Sequence, residues 1–318
     1  MTAKMTSQPL PAAPAAAPVI SVVIPHLNQP QMLARCLASL MAGTRPPDEV
    51  LVVDNGSAAL PVAVCAAYPM VQLLAEPVPG PGPARNRGVA AARGDILAFI
   101  DADCLADPEW LAQALQAMAD PVAEILGGDV RIACADPTRL TLLEAYESIY
   151  AYRMDRYIAR EGFTGTGNLV VRRGVMAQVG PFAGLAVAED RDWGQRATKA
   201  GHVIRYVAGM KVYHPARETF ADLWKKWDRH TAHDFIRARG RRFGLGIFAA
   251  KTLVMAASPL AEIPRIAVSD RIGGVRARAL AFAGLVRVRL YRAGRMAWLL
   301  AGGDPARLSG SWNRPKAG

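Results

Sequence analysis

Short apolar runs alternate with amphipathic stretches along the first hundred residues. The runs end in polar or turn-forming residues and predict β-strands over 19–25, 49–53, 71–75 and 96–100. Between the first two runs, Leu33, Cys36, Leu37 and Leu40 recur at helical spacing and predict a helix over 31–41. Strands that are apolar on both faces and alternate with helices indicate a parallel sheet covered on each side. The pattern therefore predicts an α/β fold.

The second half of the chain has a more mixed pattern. It predicts a long helix over 138–160 and a glycine-rich loop, GTGNLVVRR, over 165–173. A further helix is predicted to begin at Glu189-Asp190 and to end before Gly201. A strand over 202–207 then leads to the segment VYHP, which ends at Pro215.

Beyond Pro215 the pattern becomes helical and basic. We therefore predict an α/β catalytic domain over 19–215, a basic helical region over 216–318 and a leader over 1–18. The leader is rich in alanine and proline and lacks the apolar core of a secretory signal, so it is expected to be flexible.

Composition excludes global disorder, because 52% of the 318 residues are hydrophobic, enough to bury a sizeable core. The four cysteines are scattered without a close pair, which fits neither a disulfide framework nor a zinc site. A reducing cytoplasm is the expected location.

The positive charge is concentrated in the C-terminal region. From Pro215 onward there are 20 Lys and Arg against 7 Asp and Glu, so this region accounts for the net charge of +11. Its best apolar stretch, 252–261, is far shorter than the roughly 20 residues of a spanning helix. Two interpretations stay open: helices lying on an anionic membrane surface, or helices packing on the α/β domain with arginines outward. No nucleic-acid recognition motif accompanies the charge, so no nucleic-acid partner is expected.

Carboxylates follow two of the predicted strands. Asp54 follows the second strand, and Asp101 and Asp103 follow the fourth in a D-x-D sequence. Sheets of this type bind ligands at the carboxyl ends of their strands. There the D-x-D could hold Mg²⁺ or Mn²⁺, and Asp54 could accept hydrogen bonds from a ribose hydroxyl or from uracil N3–H. The alternatives are a solvated turn for the D-x-D and an Asx-turn for Asp54 in DNGS.

The segment GPGPAR, residues 80–85, resembles a dinucleotide-binding fingerprint only in part. Arg85 replaces the third glycine, and no Walker A motif occurs in the chain, so dehydrogenase and P-loop interpretations both fail. What is left is a Gly/Pro loop entering a helix, where Arg85 could meet a diphosphate or could be a surface side chain.

Glu189 and Asp190, at the start of a predicted helix, are the best candidates for a general base. The alternative is a structural role, because acidic side chains at the start of a helix interact favourably with the helix dipole. His214 follows a short strand and could reach a metal ion. His202, His230 and His233 are interpreted as structural or solvent-facing.

Together these stretches resemble the inverting nucleotide-diphospho-sugar glycosyltransferases of family 2. The resemblance covers residues 19–214 and is carried, in the family's order, by SVVIPHLNQPQMLARCLASL, EVLVVDNGS, GPARNRGVAAARGDILAFIDADC, GTGNLVVRR, VGPFAGLAVAEDRDWGQR and VYH. It implies a GT-A fold: a Rossmann-like α/β domain with a mixed sheet flanked by helices, here followed by the basic helical extension.

For the donor, the resemblance implies a nucleoside pocket lined by Pro25, Asn28 and Asp54, with Arg85 approaching the diphosphate. His26 departs from the small or hydroxylated residue that the family more often has at this position.

For the chemistry, the resemblance implies that Asp103 and His214 hold a divalent cation, Mn²⁺ or Mg²⁺. It places Asp101 on the ribose or the metal, and it makes Asp190 the catalytic base beside Glu189.

The activity implied by the resemblance is metal-dependent, inverting transfer of a single sugar from a nucleotide diphosphate donor, expected to be UDP-linked. The expected acceptor is a glycan or lipid-linked molecule in cell-surface polysaccharide or glycolipid synthesis at the inner face of the cytoplasmic membrane. Processive synthesis is not expected, because the Q-x-x-R-W motif of processive synthases is absent. The alternative is a non-catalytic nucleotide-sugar-binding subunit or scaffold.

Overall fold

The computed structural model describes residues 18–185 and 187–309, so the predicted leader lies almost wholly outside the described residues. The strands are β1 (Ile20–His26), β2 (Glu49–Asp54), β3 (Val71–Ala75), β4 (Ile96–Phe99), β5 (Leu105–Ala106), β6 (Ile125–Ala133), β7 (Leu169–Arg172) and β8 (Ile204–Pro215). They form one mixed sheet in the order β3-β2-β1-β4-β7-β6-β8-β5. Strands β3, β2, β1 and β4 are parallel, whereas β7 runs antiparallel to both β4 and β6.

Helices cover both faces of this sheet and continue beyond it. Those of the first two-thirds are α1 (Pro30–Met41), α2 (Val62–Ala66), α3 (Pro81–Ala91), α4 (Trp110–Met118), α5 (Leu142–Tyr150), α6 (Met154–Glu161), α7 (Arg173–Val179) and α8 (Glu189–Lys199). The C-terminal region contributes α9 (Phe220–Arg239), α10 (Gly244–Ala257), α11 (Ile263–Ala267), α12 (Gly274–Leu300) and α13 (Ala306–Ser309). Short 3₁₀ turns lie at Thr166–Asn168 and Leu260–Glu262.

The core lies on both sides of the sheet because neighbouring side chains of a strand point to opposite faces. Val22 and Ile24 of β1 pack in one cluster with α1 and α4, whereas Val23 packs in the other cluster with α7 and α8. Strand β1 lies between β2 and β4, so the order of the strands along the sheet reverses direction at this point. A crevice at the carboxyl ends of β1 and β4 is the usual ligand site of such a sheet.

Glycines in the 80–88 segment permit close packing. A Cβ at Gly88 would collide with Val23 of β1, and a Cβ at Gly82 would collide with the backbone carbonyl of Ala183. Pro81 occupies the first turn of α3, where its missing N–H costs no hydrogen bond. The glycines thus bring α3 against the sheet and against the loop that precedes α8.

Two local predictions were wrong. The predicted 138–160 helix is two helices, because α5 begins at a capping box between Thr141 and Glu144 and the chain turns at Tyr152, whose φ is 48°. The predicted 165–173 loop is a 3₁₀ turn followed by β7, since its apolar LVV sequence is buried between β4 and β6. The predicted 202–207 strand is the beginning of a longer one, β8, which runs on to Pro215.

The C-terminal helices share a core with the α/β part of the chain. Leu285 and Val288 of α12 pack with Leu143 and Tyr146 of α5. A Cβ at Gly284 would meet the Tyr146 side chain, so the two helices approach closely there. Leu223 of α9 lies in the same cluster, so the start of α9 is held against α5 and α12.

No single helix among the described residues is both long enough and apolar enough to cross a bilayer. Helix α10 reaches that length and hydropathy only together with Leu260–Ala267, across a 60° bend.

Candidate active site

Acidic side chains from distant parts of the chain line one cavity of about 510 Å³ at the carboxyl end of β4. Asp101 follows β4, Glu189 and Asp190 begin α8, and His214 lies near the end of β8. The cavity thus joins side chains from three elements spread over residues 101–214, at the strand ends where such sheets bind ligands.

Arg85 connects two of these carboxylates. Its Nη2 donates to Asp101 Oδ1 at 2.6 Å and its Nη1 donates to Glu189 Oε1 at 2.8 Å. The guanidinium is buried, and its Nε lacks a hydrogen-bond partner within the described chain. Burial opposes its charge, but the two carboxylates outweigh that effect and raise the pKa of Arg85. Arg85 therefore fixes the positions of Asp101 and Glu189 by tying α3 to the start of α8.

Asp190 differs from these paired carboxylates. The hydrogen bond recorded for its side chain is local, from the Arg191 backbone N–H to Oδ1 at 2.7 Å. Burial raises the pKa of Asp190, and the nearby Glu189 adds to the rise while Arg85 opposes it. A carboxylate with open lone pairs and a raised pKa, facing a cavity, has the properties of a general base.

Asp103 and His214 come together beside the cavity. Asp103 Oδ2 lies 3.5 Å from His214 Nε2. His214 Nδ1 donates to the Pro215 carbonyl at 2.7 Å, which leaves the lone pair of neutral imidazole on Nε2, the nitrogen nearer Asp103. The Tyr152 ring packs on the imidazole, tilted by 33° with centroids 4.6 Å apart, and its hydroxyl lies 3.1 Å from Nε2. Asp103 itself lines a separate small cavity of about 20 Å³.

This pair fits a divalent cation. Candidate ligand atoms of Asp103, Cys104 and His214 lie within 4.8 Å of one another. Mg²⁺ and Mn²⁺ are hard cations that prefer oxygen and nitrogen ligands to a thiol, so the Asp103 carboxylate and the His214 imidazole are the members of this group that would hold one. Burial raises the pKa of Asp103, with Asp101 adding and His214 opposing. The carboxylate of Asp101 is held by Arg85 and lies outside this group of three.

The predicted nucleoside residues lie at the same edge of the sheet. Asp54 Oδ1 pairs with His26 Nδ1 at 2.8 Å, and Asp54 Oδ2 accepts from the Gly56 N–H at 3.2 Å, as in an Asx-turn, and from the Ser57 N–H at 2.9 Å. Burial opposes ionisation, but the bonds from Ser57 and His26 outweigh it and lower the pKa of Asp54. Because His26 Nε2 accepts the Gln29 N–H, both ring nitrogens of His26 are used locally.

Asn28 and Pro25 complete this edge. Asn28 has a φ of 55°, and its Oδ1 accepts the Ala58 N–H at 2.9 Å. None of Pro25, Asn28 or Asp54 lines the 510 Å³ cavity in the described part of the chain. The structure therefore groups the acidic and imidazole side chains around β4 and β8, and places the predicted nucleoside residues one and two strands away.

Several cavity residues were missed by sequence reasoning. Gly167 lies against Asp101, where a Cβ would be 2.7 Å from Oδ2, so the GTG sequence keeps the cavity open. Tyr152 supports His214, and Lys226 and Trp227 of α9 line the cavity from beyond the predicted domain boundary. The sequence WKKWDRH, in which basic residues lie among aromatic ones, is the feature that could have pointed to α9.

The Glycosyl transferase family 2 model matches residues 21–182, more than half of the chain. The chain belongs to this family. Its matched segment contains Asp54, Arg85, Asp101 and Asp103, whereas Asp190 and the α9 residues lie beyond it.

Curated relatives of this family 2 glycosyltransferase agree with that assignment. Glycosyltransferase AglE of Haloferax volcanii is 34% identical over 217 residues, 66% of this chain and 70% of that protein. The pre-mycofactocin glycosyltransferase of Mycobacterium tuberculosis is 29% identical over 221 residues, 64% of this chain but 44% of the relative. The chain thus spans less than half of the mycobacterial protein.

A solved structure confirms the predicted GT-A fold. The mannosyltransferase PcManGT from Pyrobaculum calidifontis, solved in complex with GDP-Man and Mn²⁺, matches 93% of this chain and 92% of its own with a TM-score of 0.57. Sequence identity is 18%, so this similarity concerns the fold alone.

Proposed function

We propose that this glycosyltransferase transfers a single sugar, with inversion, from a nucleotide diphosphate donor to an acceptor hydroxyl that Asp190 deprotonates. The observation that carries the proposal is Asp190 itself: a carboxylate with a raised pKa that shares a cavity with Asp101 and His214. A base in this position removes the acceptor proton as the oxygen attacks the anomeric carbon.

Inversion is supported by the pairing of the other carboxylates. A retaining double displacement needs a second carboxylate as nucleophile. Glu189 and Asp101 are both bound to Arg85, which lowers their reactivity and fixes their direction. With Asp190 as the unpaired acid, a single displacement is the mechanism that this set of residues suits.

The site must also stabilise the leaving diphosphate. Asp103 and His214 would hold the divalent cation, Mn²⁺ or Mg²⁺, and that ion when bound neutralises the charge that develops on the diphosphate. The bond from His214 Nδ1–H to the Pro215 carbonyl supports this role, because it places the lone pair on Nε2, where a bound cation would replace the Tyr152 hydroxyl that lies 3.1 Å away. No protein acid is then required.

Replacement of Asp190 by Asn tests the base. We expect the transfer rate to fall by about 10² to 10⁴-fold, because the amide cannot accept the proton, while donor binding is retained. In the wild type, transfer should decline as the pH falls through the raised pKa of Asp190, since only the ionised form is a base.

Asp192→Asn is the matched control. Asp192 lies on the same helix and pairs with Arg196 at 2.9 Å, away from the cavity lining. Full transfer activity in Asp190→Asn, measured by nucleotide release with acceptor present, would refute the base assignment. No turnover by the wild type with any donor would favour the binding-subunit alternative.

The nucleotide is proposed to be UDP, as the sequence resemblance implies, with Asp54 at the end of β2 as the candidate uracil contact. GDP-Man, bound by the Pyrobaculum enzyme, is the natural competitor to test. A thermal-shift screen of UDP and GDP sugars with and without Mn²⁺ addresses both donor class and metal dependence. Stabilisation by GDP sugars alone would overturn the UDP proposal.

The acceptor is proposed to be a glycan or lipid-linked molecule in cell-surface polysaccharide or glycolipid synthesis, met at the inner face of the cytoplasmic membrane. Support comes from α10, where Ile247, Leu253 and Val254 are each more than half exposed and flank the exposed Lys251. Apolar side chains beside cations suit the interface of an anionic bilayer.

A further inference from the structure

Helix α9 forms a wall of the cavity that contains Asp190. Lys226, Trp227 and His230 of this helix line the cavity, although they lie outside the family-matched segment. Leu223, one turn before Lys226, is buried in the core shared by α5 and α12. The wall is therefore held in place and does not depend on a mobile loop.

Lys226 is a cation without a counterion. Among the described residues it forms no ion pair, and its recorded contact is with the Trp227 ring, 5.4 Å from Nζ. Its neighbour Arg217 is occupied by the buried Glu147, to which the Arg217 N–H donates at 2.8 Å. Burial, together with the neighbouring guanidinium groups, lowers the pKa of Lys226 to about 8. An ammonium group in this environment is stabilised by an anion.

Trp227 contributes a donor that is also unsatisfied. Its indole N–H is buried without a hydrogen-bond partner in the described chain. The guanidinium of Arg292 lies 3.9 Å over the Trp227 ring, and its Nε likewise lacks a partner. Buried donors are normally satisfied, so orphaned ones beside a cavity point to a ligand that supplies the acceptor atoms.

A second cavity lies on the other side of this stacked pair. It measures about 410 Å³, and its lining combines apolar residues of α10, including Phe248, Val254 and Met255, with charged side chains: Asp234, Arg237, Arg241, Lys251, Arg289 and Arg292. The stacked pair links the two cavities, because Trp227 lines the one that contains Asp190 and Arg292 lines the other.

We propose that the acceptor carries a phosphate group near its reacting hydroxyl, and that Lys226 and the Trp227 indole N–H bind this phosphate. The apolar part of the acceptor occupies the neighbouring cavity beside α10. This assignment rests on the proposed function, because it requires the acceptor hydroxyl to lie at Asp190. A phosphate suits the site because it presents several oxygens to Lys226, Trp227 and the nearby guanidinium groups at once.

Binding of decyl phosphate by the full chain provides the test. Calorimetry is done in saturating UDP and Mn²⁺, which block the donor's own phosphate site. We expect Lys226→Met to weaken binding about tenfold or more, because a charge-assisted bond is lost while the length of the side chain is kept. Trp227→Phe, which removes only the N–H donor, should weaken binding about threefold to tenfold.

Lys225→Met is the matched control, because Lys225 is the adjacent cation but is exposed and pairs with Asp222. It should bind decyl phosphate as the wild type does. Equal affinity in Lys226→Met and Lys225→Met would overturn the proposal. So would equal binding of the neutral amphiphile decyl maltoside. Inorganic phosphate should bind more weakly than decyl phosphate, and equal affinities would identify a free-phosphate site instead of an acceptor site.

A second measurement separates this inference from the proposed function. Hydrolysis of the nucleotide sugar selected by the thermal-shift screen, without acceptor, reports the donor site alone and should be unchanged in the exposed control Lys225→Met. Wild-type protein that neither binds nor hydrolyses any nucleotide sugar overturns the proposed function. Normal hydrolysis by the wild type, combined with unaltered decyl phosphate binding in Lys226→Met, overturns only the acceptor assignment.

Discussion

Replacing Arg85 with Met tests whether one buried cation organises the acidic cavity. The guanidinium is 3% exposed and holds Asp101 at 2.6 Å and Glu189 at 2.8 Å. Removing one partner of a fully buried ion pair costs about 3–5 kcal/mol. Asp101 is 34% exposed and Glu189 is 18% exposed, so water partly solvates the abandoned carboxylates and the expected loss is about 3 kcal/mol.

The same substitution has a predicted effect on pH dependence. Arg85 opposes the raised pKa of Asp190, whereas Glu189 and Asp101 increase it. Without Arg85 the pKa of Asp190 rises further, so the acid limb of the transfer profile should move to higher pH. Urea unfolding measures the stability loss, and transfer rates across the pH range measure the shift.

Arg87→Met is the control for this experiment, because Arg87 lies on the same helix but is exposed. Adding Glu189→Gln to Arg85→Met removes one uncompensated charge and should recover part of the lost stability. If Arg85→Met has the same stability to urea as Arg87→Met and keeps the wild-type pH profile, the ion pairs of Arg85 with Asp101 and Glu189 contribute no stability. That result would refute the reasoning.

Two further predictions concern the cavity floor and the membrane. In Gly167→Ala the new Cβ would lie 2.7 Å from Asp101 Oδ2, so this carboxylate would have to move. We expect transfer to fall at least tenfold with little loss of stability. Gly174→Ala is the control and should be neutral, because open space surrounds Gly174. Liposomes containing anionic lipid should carry the protein in a flotation assay, and Leu253→Asp on the exposed face of α10 should reduce the floating fraction; a wild type that stays unbound contradicts membrane contact.

Much of the sheet could be predicted from the sequence because its signals are local. Buried strands such as β2 are continuous apolar runs, and Asp54 and Asp101 mark where runs end. Strand β7 was missed because its apolar residues follow two glycines that are typical of a loop. The turn at Tyr152 was missed because a left-handed φ at a tyrosine is set by packing against His214, which lies far away in sequence.

The candidate site was predictable to a lesser extent, for a related reason. Asp103 and His214 could be identified from their sequence motifs, and in the structure Asp103 Oδ2 lies 3.5 Å from His214 Nε2. That Arg85 pairs with two carboxylates depends on the approach of α3 to α8, and no local pattern encodes that distance. Lys226 looked like part of a solvated basic helix, because its burial arises only when α9 packs against the α/β part of the chain.

The residues proposed to act on the donor and on the acceptor lie in different parts of the chain. Residues 21–182 carry the sheet edge, the D-x-D sequence and Arg85, whereas Asp190 begins α8 and Lys226 lies on α9. Under the proposed function, donor chemistry and acceptor recognition would reside on different elements, joined by the Arg85–Glu189 contact at 2.8 Å and by the cavity itself. Because α9 is anchored by core contacts on one face and lines the cavity with another, we expect that its cavity-facing residues can change without disturbing the sheet. The proposal therefore predicts that acceptor choice can diverge within this fold while the residues proposed to act on the leaving diphosphate stay the same.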